Sequence, residues 1–269
     1  MGGAALVAGS GVVVERVGWN KILRQVGLAS SPDHHVPKNG APVRTLRFDS
    51  RAMGGATRVA ISAPDDARGV IICLHGRNGD YRTAFDEVHV HDVVAAARLP
   101  LAVVGVDGGD SSYWHKRASG IDPQALIQDE VMPRVEAELG GPLPRALLGW
   151  SMGGYGALLT AERHPEEYRA VVGSSPALWR EPSQSAPGAF DNAEDYRRND
   201  VFAGIASLAS VSVRIDCGTS DPFLGAARAF ASQLPKPNPG AFTDGFHDAP
   251  YWRSVAPAQV ATIGAALLT

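Results

Sequence analysis

A serine set in a glycine-rich turn limits what this chain of 269 residues can fold into more than any other feature. Ser151 lies in the pattern Gly-x-Ser-x-Gly, which it forms with Gly149 and Gly153. The apolar run Ala146-Leu147-Leu148 precedes this turn, and Ala157-Leu158-Leu159 follows it. A buried strand, a tight turn and a helix in succession expose such a serine at the edge of a parallel sheet. Its neighbours must be small because the serine backbone is strained there.

Alternating apolar strands and helical segments predict an α/β fold of the hydrolase type. We expect a doubly wound, mostly parallel sheet with helices on both faces, beginning with two antiparallel strands. Strands are predicted at residues 43–49, 57–63, 70–74, 101–106, 170–173 and 211–218, besides the run before Ser151. Helices are predicted at residues 84–97 and 121–139, the second with a kink or restart at Pro133.

Two further residues follow Ser151 in an informative order. The strand predicted at residues 211–218 leads into a loop that carries Asp221, and a glycine-containing loop near the C-terminus carries His247. Serine, acid and histidine in this order are expected of an α/β-hydrolase triad. His247 is predicted to accept the proton of Ser151, and Asp221 to orient and stabilise the imidazole. Asp216, inside the same strand, is the alternative acid.

The loop after the first buried strand is predicted to bind a developing negative charge. An uninterrupted apolar run ends at Leu74 and is followed by His75, Gly76 and Arg77. In hydrolases of this architecture, one backbone N–H of an oxyanion hole comes from this loop, and the other from the residue after the serine. Arg77 and Met152 are therefore the predicted donors. His75 is expected to brace the loop rather than to transfer a proton.

Together these motifs resemble those of α/β-hydrolases in the esterase D and antigen 85 (mycolyltransferase-like) superfamily. The matching segments are Leu74-His75-Gly76, residues 149–157, Asp221-Pro222-Phe223, and Gly245-Phe246-His247-Asp248 followed by Tyr251-Trp252. The resemblance extends over most of the chain after residue 40 and implies ester hydrolysis or acyl transfer through an acyl-enzyme on Ser151. Residues 77–80 match neither the loop of S-formylglutathione hydrolases nor a full mycolyltransferase signature.

Aromatic residues near these motifs are predicted to bind the substrate, namely Trp114, Trp150, Trp179, Phe223 and Trp252. For Trp114 and its neighbour Tyr113, a packed aromatic pair is the alternative interpretation.

Residues 176–209 interrupt the alternation of strands and helices and are rich in proline, serine and charged residues. This pattern predicts a cap-like insertion that covers the site and helps to select the substrate. A surface excursion without a catalytic role is the other interpretation.

The sequence therefore predicts a serine carboxylesterase that hydrolyses small to medium acyl esters. The alternatives are an acyltransferase that moves the acyl group to a sugar hydroxyl and a catalytically silent binding protein on the same fold. The expected partner is a small-molecule or lipid ester. The net charge of −3 argues against a nucleic-acid partner. No cofactor or metal is predicted, because the histidine pairs lack a third ligand at suitable spacing, and Cys73 and Cys217 are expected to be buried.

Residues 1–39 are predicted to form an N-terminal segment before a hydrolase domain at residues 40–269. Residues 2–14 are uncharged, small and apolar, like the central region of an export signal. This composition favours a protein that is exported or associated with the cell envelope. Peripheral contact with a membrane is then an expected interaction. A disordered or docking tail on a cytoplasmic protein is the alternative. Residues 17–28 are typical of a short amphipathic helix that lies on the domain or on a membrane surface.

Overall fold

Seven strands form a single mixed sheet in the computed structural model, which describes residues 29–269. The strands are β1 (Val43–Ser50), β2 (Gly55–Ser62), β3 (Gly69–Leu74), β4 (Leu101–Val106), β5 (Arg145–Trp150), β6 (Tyr168–Ser174) and β7 (Ser212–Asp216). Their order across the sheet is β1-β2-β4-β3-β5-β6-β7. Strand β2 is antiparallel to both β1 and β4, and all other neighbours are parallel. The predicted mostly parallel sheet with two antiparallel strands at its start is confirmed.

Helices cover both faces of this sheet. They are α1 (Thr83–Asp86), α2 (Val90–Ala96), α3 (Pro123–Ala125), α4 (Met132–Leu139), α5 (Met152–Arg163), α6 (Ala193–Arg198), α7 (Val201–Gly204), α8 (Leu224–Ala231) and α9 (Ala249–Leu267). Successive side chains of a strand point to opposite faces. On β3, Ile72 accordingly packs in one hydrophobic cluster with Leu158 of α5, and Ile71 packs in another with Val260 of α9.

The two predicted long helices have different outcomes. The helix predicted at residues 84–97 is wrong as a single element, because His89 has a left-handed backbone (φ 60°) that separates α1 from α2. The helix predicted at residues 121–139 is present as α3 and α4, joined by the π-helical segment Leu126–Val131. Pro133 in the first turn of α4 has no N–H to donate, and the wider π turn before it accommodates that loss.

The topology brings five loops together at one edge of the sheet. Strands β4, β3, β5, β6 and β7 are parallel neighbours, so their carboxyl ends lie side by side. The loops that follow β3, β4, β5, β6 and β7 begin with His75, Asp107, Ser151, Ser175 and Cys217. Residues 176–209 follow β6 and contain α6, α7, the 3₁₀ segment Pro182–Gln184 and all but the last residue of the 3₁₀ segment Ile205–Ser210. Cys73 and Cys217 are both free and buried, as predicted.

Part of the predicted N-terminal segment contacts the domain. The hydroxyl of Ser31 accepts a hydrogen bond of 2.9 Å from the amide of Phe246, and Asp33 forms a 2.7 Å ion pair with Arg253. The predictions for residues 2–14 and 17–28 lie outside the described residues. Within residues 29–269, no helix combines the length and the apolar character needed to cross a membrane.

Candidate active site

Ser151 lies in a sharp turn between β5 and α5. Its backbone has φ 54° and ψ −118°, a strained conformation for a residue with a side chain. The two flanking glycines are required by close backbone contacts. A Cβ on Gly149 would lie 2.0 Å from the carbonyl oxygen of Gly153, and one on Gly153 would lie 1.9 Å from that of Leu74. The turn therefore presents the serine hydroxyl at the start of the helix, as its motif predicted.

A continuous chain of hydrogen bonds joins the three predicted triad residues. The Nε2 atom of His247 lies 2.8 Å from the hydroxyl of Ser151, and its Nδ1 atom lies 2.8 Å from Oδ2 of Asp221. The Asp221 side chain is fully buried, and its Oδ1 atom accepts a 2.8 Å bond from the amide of Phe223. With the Nδ1 proton donated to Asp221, Nε2 is free to accept the serine proton.

The alternative acid, Asp216, belongs to a separate buried network. The guanidinium of Arg214 donates to both of its carboxylate oxygens, at 2.8 and 2.9 Å. The side-chain amide of Gln259 and the backbone amide of Ala241 donate the remaining bonds, at 2.9 and 2.8 Å. Because these four donors occupy the carboxylate, Asp216 holds β7 against α9 and the loop before His247 and does not contact the imidazole.

The loop after β3 passes directly beside Ser151. A Cβ on Gly76 would lie 3.4 Å from the Cβ of Ser151. The amide of Asn78 donates to Asp110 and that of Gly79 donates to Gly76, whereas no acceptor within residues 29–269 takes the amide proton of Arg77. Met152 is the first residue of α5, and the first amides of a helix have no acceptor inside it. These two amides have the positions expected of an oxyanion hole.

His75 fixes the orientation of this loop. Its Nε2 atom accepts a 3.1 Å bond from the amide of Gly108, so Nδ1 carries the proton and donates to the carbonyl of Gly76 at 2.7 Å. In a trans peptide the C=O and N–H groups point in opposite directions, so this bond also orients the amide of Arg77. Burial lowers the pKa of His75, which keeps the ring neutral. The ring braces the loop, which is the role that the sequence predicted.

Three of the five predicted aromatic residues lie together around the imidazole. The Phe223 and Trp252 rings lie 5.2 and 5.6 Å from the His247 ring, measured between centroids. Trp179, in the insertion, contacts Phe223 at 5.6 Å in an edge-to-face arrangement. All three side chains are partly exposed. They form a partly exposed aromatic surface that begins at His247 and continues into the insertion.

The other two aromatic predictions are wrong. Trp150 is the last residue of β5, and its fully buried side chain packs in the cluster between the sheet and α9. Trp114 is also fully buried, because glycines make room for its indole: a Cβ on Gly108 or Gly156 would lie 2.4 or 2.3 Å from it. Neither side chain is exposed at the surface where a substrate would bind. Tyr113 is buried as well, with its ring 5.5 Å from that of Trp179, so the alternative interpretation of a packed aromatic pair is confirmed.

A polar connection between the insertion and the loop after β4 was not predicted. Arg117 donates to Asp191 at 2.9 Å and to the carbonyls of Gly188 and Ala189 at 3.0 and 3.2 Å. The partners are more than 70 residues apart in the chain, so no local sequence pattern predicts the contact.

Within the described part of the chain, no three His, Cys, Asp or Glu side chains are arranged to hold a metal ion.

Comparisons with known proteins agree with this architecture. The family model named Esterase matches residues 50–258. Esterase Rv1288 of Mycobacterium tuberculosis is 32% identical over 153 residues, which are 50% of this chain and 32% of that protein. The chain therefore spans about a third of the length of the curated relatives it matches.

Solved structures show the same fold at low sequence identity. A ferulic acid esterase superimposes with a TM-score of 0.72 at 20% identity, over 85% of this chain and 100% of the other. MPT51 (FbpC1) of Mycobacterium tuberculosis superimposes with a TM-score of 0.70 at 20% identity, over 84% and 99%. These likenesses establish an α/β-hydrolase fold. Because the family model covers most of the sequence, this chain belongs to the Esterase family.

Proposed function

We propose that this protein is a serine carboxylesterase that hydrolyses small to medium acyl esters through an acyl-enzyme on Ser151. The observation that carries the proposal is the unbroken hydrogen-bond chain from buried Asp221 through His247 to Ser151, with 2.8 Å at both steps. A catalytically silent binding protein has no need of this alignment, nor of the strained backbone at the serine. Membership of the Esterase family supports the same activity.

The geometry suggests the following reaction. His247 Nε2 takes the proton of Ser151 as its oxygen attacks the ester carbonyl, and the charge on the carbonyl oxygen is stabilised by the amides of Arg77 and Met152. Each such donor is worth about 3 kcal/mol of transition-state stabilisation. The imidazolium then returns its proton to the leaving alcohol, which leaves the acyl group on the serine. A water molecule activated by His247 attacks this acyl-enzyme, and the acid is released as the serine regains its proton.

The partly exposed aromatic side chains are the proposed substrate-binding surface. Phe223 and Trp252 flank the imidazole, and Trp179 extends the surface toward the insertion. Rings in such an arrangement favour apolar or planar groups of a ligand. The insertion at residues 176–209 thus contributes to substrate selection. Export or association with the cell envelope is a further proposal, supported by the composition of residues 2–14 alone.

Hydrolysis of p-nitrophenyl esters of increasing acyl length tests the activity. We expect turnover by the wild type and labelling by a fluorophosphonate probe, and a loss of at least about 10⁴-fold in kcat for Ser151→Ala. Ser183→Ala, which removes an exposed hydroxyl from the insertion, is the matched control. A wild type that neither turns over these esters nor reacts with the probe contradicts the proposal. Labelling that survives in Ser151→Ala assigns the nucleophile to another residue.

The acyl acceptor requires a separate measurement. Transfer to a sugar hydroxyl shares the first half-reaction with hydrolysis, so the triad geometry is the same for both. Product analysis with an ester and an excess of trehalose distinguishes them. We expect free acid as the main product, and an acylated sugar as the main product identifies a transferase instead.

A further inference from the structure

The peptide group just before His247 is held from two sides by distant segments of the chain. Its carbonyl, that of Gly245, accepts a 2.9 Å bond from the amide of Ser220, in the loop of the proposed acid. Its N–H, that of Phe246, donates a 2.9 Å bond to the hydroxyl of Ser31. Because the C=O and N–H groups of a trans peptide point in opposite directions, the two bonds restrain this group from opposite sides.

The surroundings of this peptide group are tightly packed. Gly245 has φ 152°, and a Cβ there would lie 2.2 Å from the ring of Tyr251. A Cβ on Gly218 would lie 2.3 Å from the carbonyl oxygen of Gly245. Phe246 and Ser31 are both buried, so the bond between them is shielded from water and is stronger than an exposed one.

Residues 29–41 have further contacts that keep Ser31 in place. Asp33 forms a two-bond ion pair with Arg253 of α9, with 2.7 Å at both bonds. Val36 is buried in the hydrophobic cluster between the sheet and α9. This segment precedes residue 50, where the match to the family model begins, so membership of the family does not by itself imply the contact.

The position of this peptide group affects that of the imidazole. His247 follows Phe246 directly, and each of its ring nitrogens has a partner at 2.8 Å. A displacement of about 1 Å in such a site can cost about 100-fold in rate. The Ser220 bond joins the histidine loop to the acid loop, and the Ser31 bond adds a fixed point outside both loops.

We propose that Ser31 is a positioning residue, whose hydroxyl holds the backbone before His247 so that the imidazole stays aligned with Ser151 and Asp221. This inference rests on the proposed esterase function. In this role the hydroxyl acts through the backbone and takes no part in proton transfer. Its loss lowers the fraction of molecules in which both bonds of the imidazole are formed, so it lowers kcat and leaves KM nearly unchanged.

Hydrolysis of p-nitrophenyl acetate by variants of Ser31 tests the proposal. For Ser31→Ala we expect kcat to fall by about 10- to 100-fold and KM to change by less than about twofold. Ser31→Cys, which keeps the size but accepts hydrogen bonds weakly, loses less, and Ser31→Thr, which keeps the hydroxyl, recovers most of the rate. Ser62→Ala is the matched control, because this serine is also buried and donates a 2.7 Å bond to the carbonyl of Ala41 in the same N-terminal segment. Its kcat per folded molecule should equal that of the wild type.

A second measurement does not depend on turnover. The proton between His247 Nδ1 and Asp221 lies in a charge-assisted hydrogen bond and should give a downfield NMR signal. We expect Ser31→Ala to shift or broaden this signal and Ser62→Ala to leave it unchanged.

Two results overturn the inference. One is a Ser31→Ala protein with the kcat and the NMR signal of the wild type. The other is an equal loss of kcat per folded molecule in Ser62→Ala. Failure of the esterase function is recognised separately, as a wild type that neither hydrolyses the ester nor reacts with a fluorophosphonate. In that case the NMR comparison alone decides the role of Ser31: a signal altered only in Ser31→Ala supports it, and an unaltered signal overturns it.

Discussion

The proposed triad and the insertion are both held by polar contacts, but those contacts are arranged differently. Around Ser151, one linear chain runs from Asp221 through His247 to the hydroxyl, and each atom has a single role. Where the insertion meets the core, Arg117 alone makes several bonds to Asp191 and neighbouring carbonyls. The linear chain of hydrogen bonds is suited to moving one proton between Ser151 and His247. The branched contacts of Arg117 together hold the insertion against the core. Substitutions in the first region should therefore change the rate, and those in the second should change affinity and stability by smaller steps.

The largest expected effect is the difference between substitutions of Asp221 and Asp216, two carboxylates five residues apart in the chain. Asp221→Asn removes the charge that orients and stabilises the imidazolium, so we expect kcat to fall by about 10³–10⁴-fold with little change in stability. Asp216→Asn disrupts a buried ion pair with Arg214, and we expect a loss of about 3–5 kcal/mol of unfolding free energy. Its activity per folded molecule should remain within a few-fold of wild type.

Ester turnover and urea unfolding of both variants provide the measurements. The contrast between them is the informative quantity, because the two substitutions are chemically identical. If Asp216→Asn caused the greater loss of activity per folded molecule, the assignment of the acid would be reversed, and the linear arrangement around His247 would need another explanation.

The three residues of the linear hydrogen-bond chain could be identified from local sequence motifs. Strand ends and turn motifs fix where Ser151, Asp221 and His247 lie in the topology, so their order in the chain was enough to predict that they meet. The choice of Asp221 over Asp216 also had a sequence signal. Arg214 and Asp216 are two residues apart on β7 and so share a face, which favours an ion pair between them.

The aromatic residues show where prediction from sequence ends. Trp114 and Tyr113 are adjacent, and the sequence left open whether they line a pocket or form a packed pair; both are buried. The burial of Trp114 depends on Gly108 and Gly156, which lie on different segments and leave room for its indole. Such complementarity between distant segments is a property of the packed structure. The same holds for the contact between Arg117 and Asp191, which closes a long loop.

A second, smaller effect is expected at the insertion. Arg117→Ala removes the bonds to Asp191 and to the carbonyls of Gly188 and Ala189. The loop that carries Tyr113 is then held to the insertion by the smaller set of hydrogen bonds that His115 and Ala118 make. We expect KM for long or aromatic acyl esters to rise several-fold, with a smaller change for p-nitrophenyl acetate. Stability should fall by about 1–3 kcal/mol, since the arginine is nearly buried.

The matched control for this prediction is Arg197→Ala. Arg197 lies in α6 of the same insertion, but it is exposed and its ion pair joins it to Glu194 of the same helix. We expect its KM values to match those of the wild type. An equal rise in KM for short and long esters in Arg117→Ala would show that the insertion does not select the acyl group.

The smallest expected effect depends on pH and arises where the insertion packs on α5. Glu162 is nearly buried, and a Cβ on Gly204 of α7 would lie 2.4 Å from its Oε2 atom. Its Oε1 atom has no hydrogen-bond partner within the described residues. Burial, reinforced by the nearby charge of Asp200, raises the pKa of Glu162 to about 9, against the opposing charge of Arg163. The folded state therefore holds this proton more tightly than the unfolded chain does.

A carboxyl group with a raised pKa destabilises the fold as pH rises, because deprotonation is easier in the unfolded chain. The loss begins above the ordinary glutamate pKa of 4.5 and is complete only above about 9. Glu162→Gln removes the titration, so we expect the variant to gain about 1–3 kcal/mol over the wild type at alkaline pH and nothing at acidic pH. Thermal unfolding across this range measures the difference, with the exposed Glu166→Gln as control. A constant difference at all pH values would mean that Glu162 has the same pKa in the folded and unfolded states, so that other interactions offset the effect of its burial.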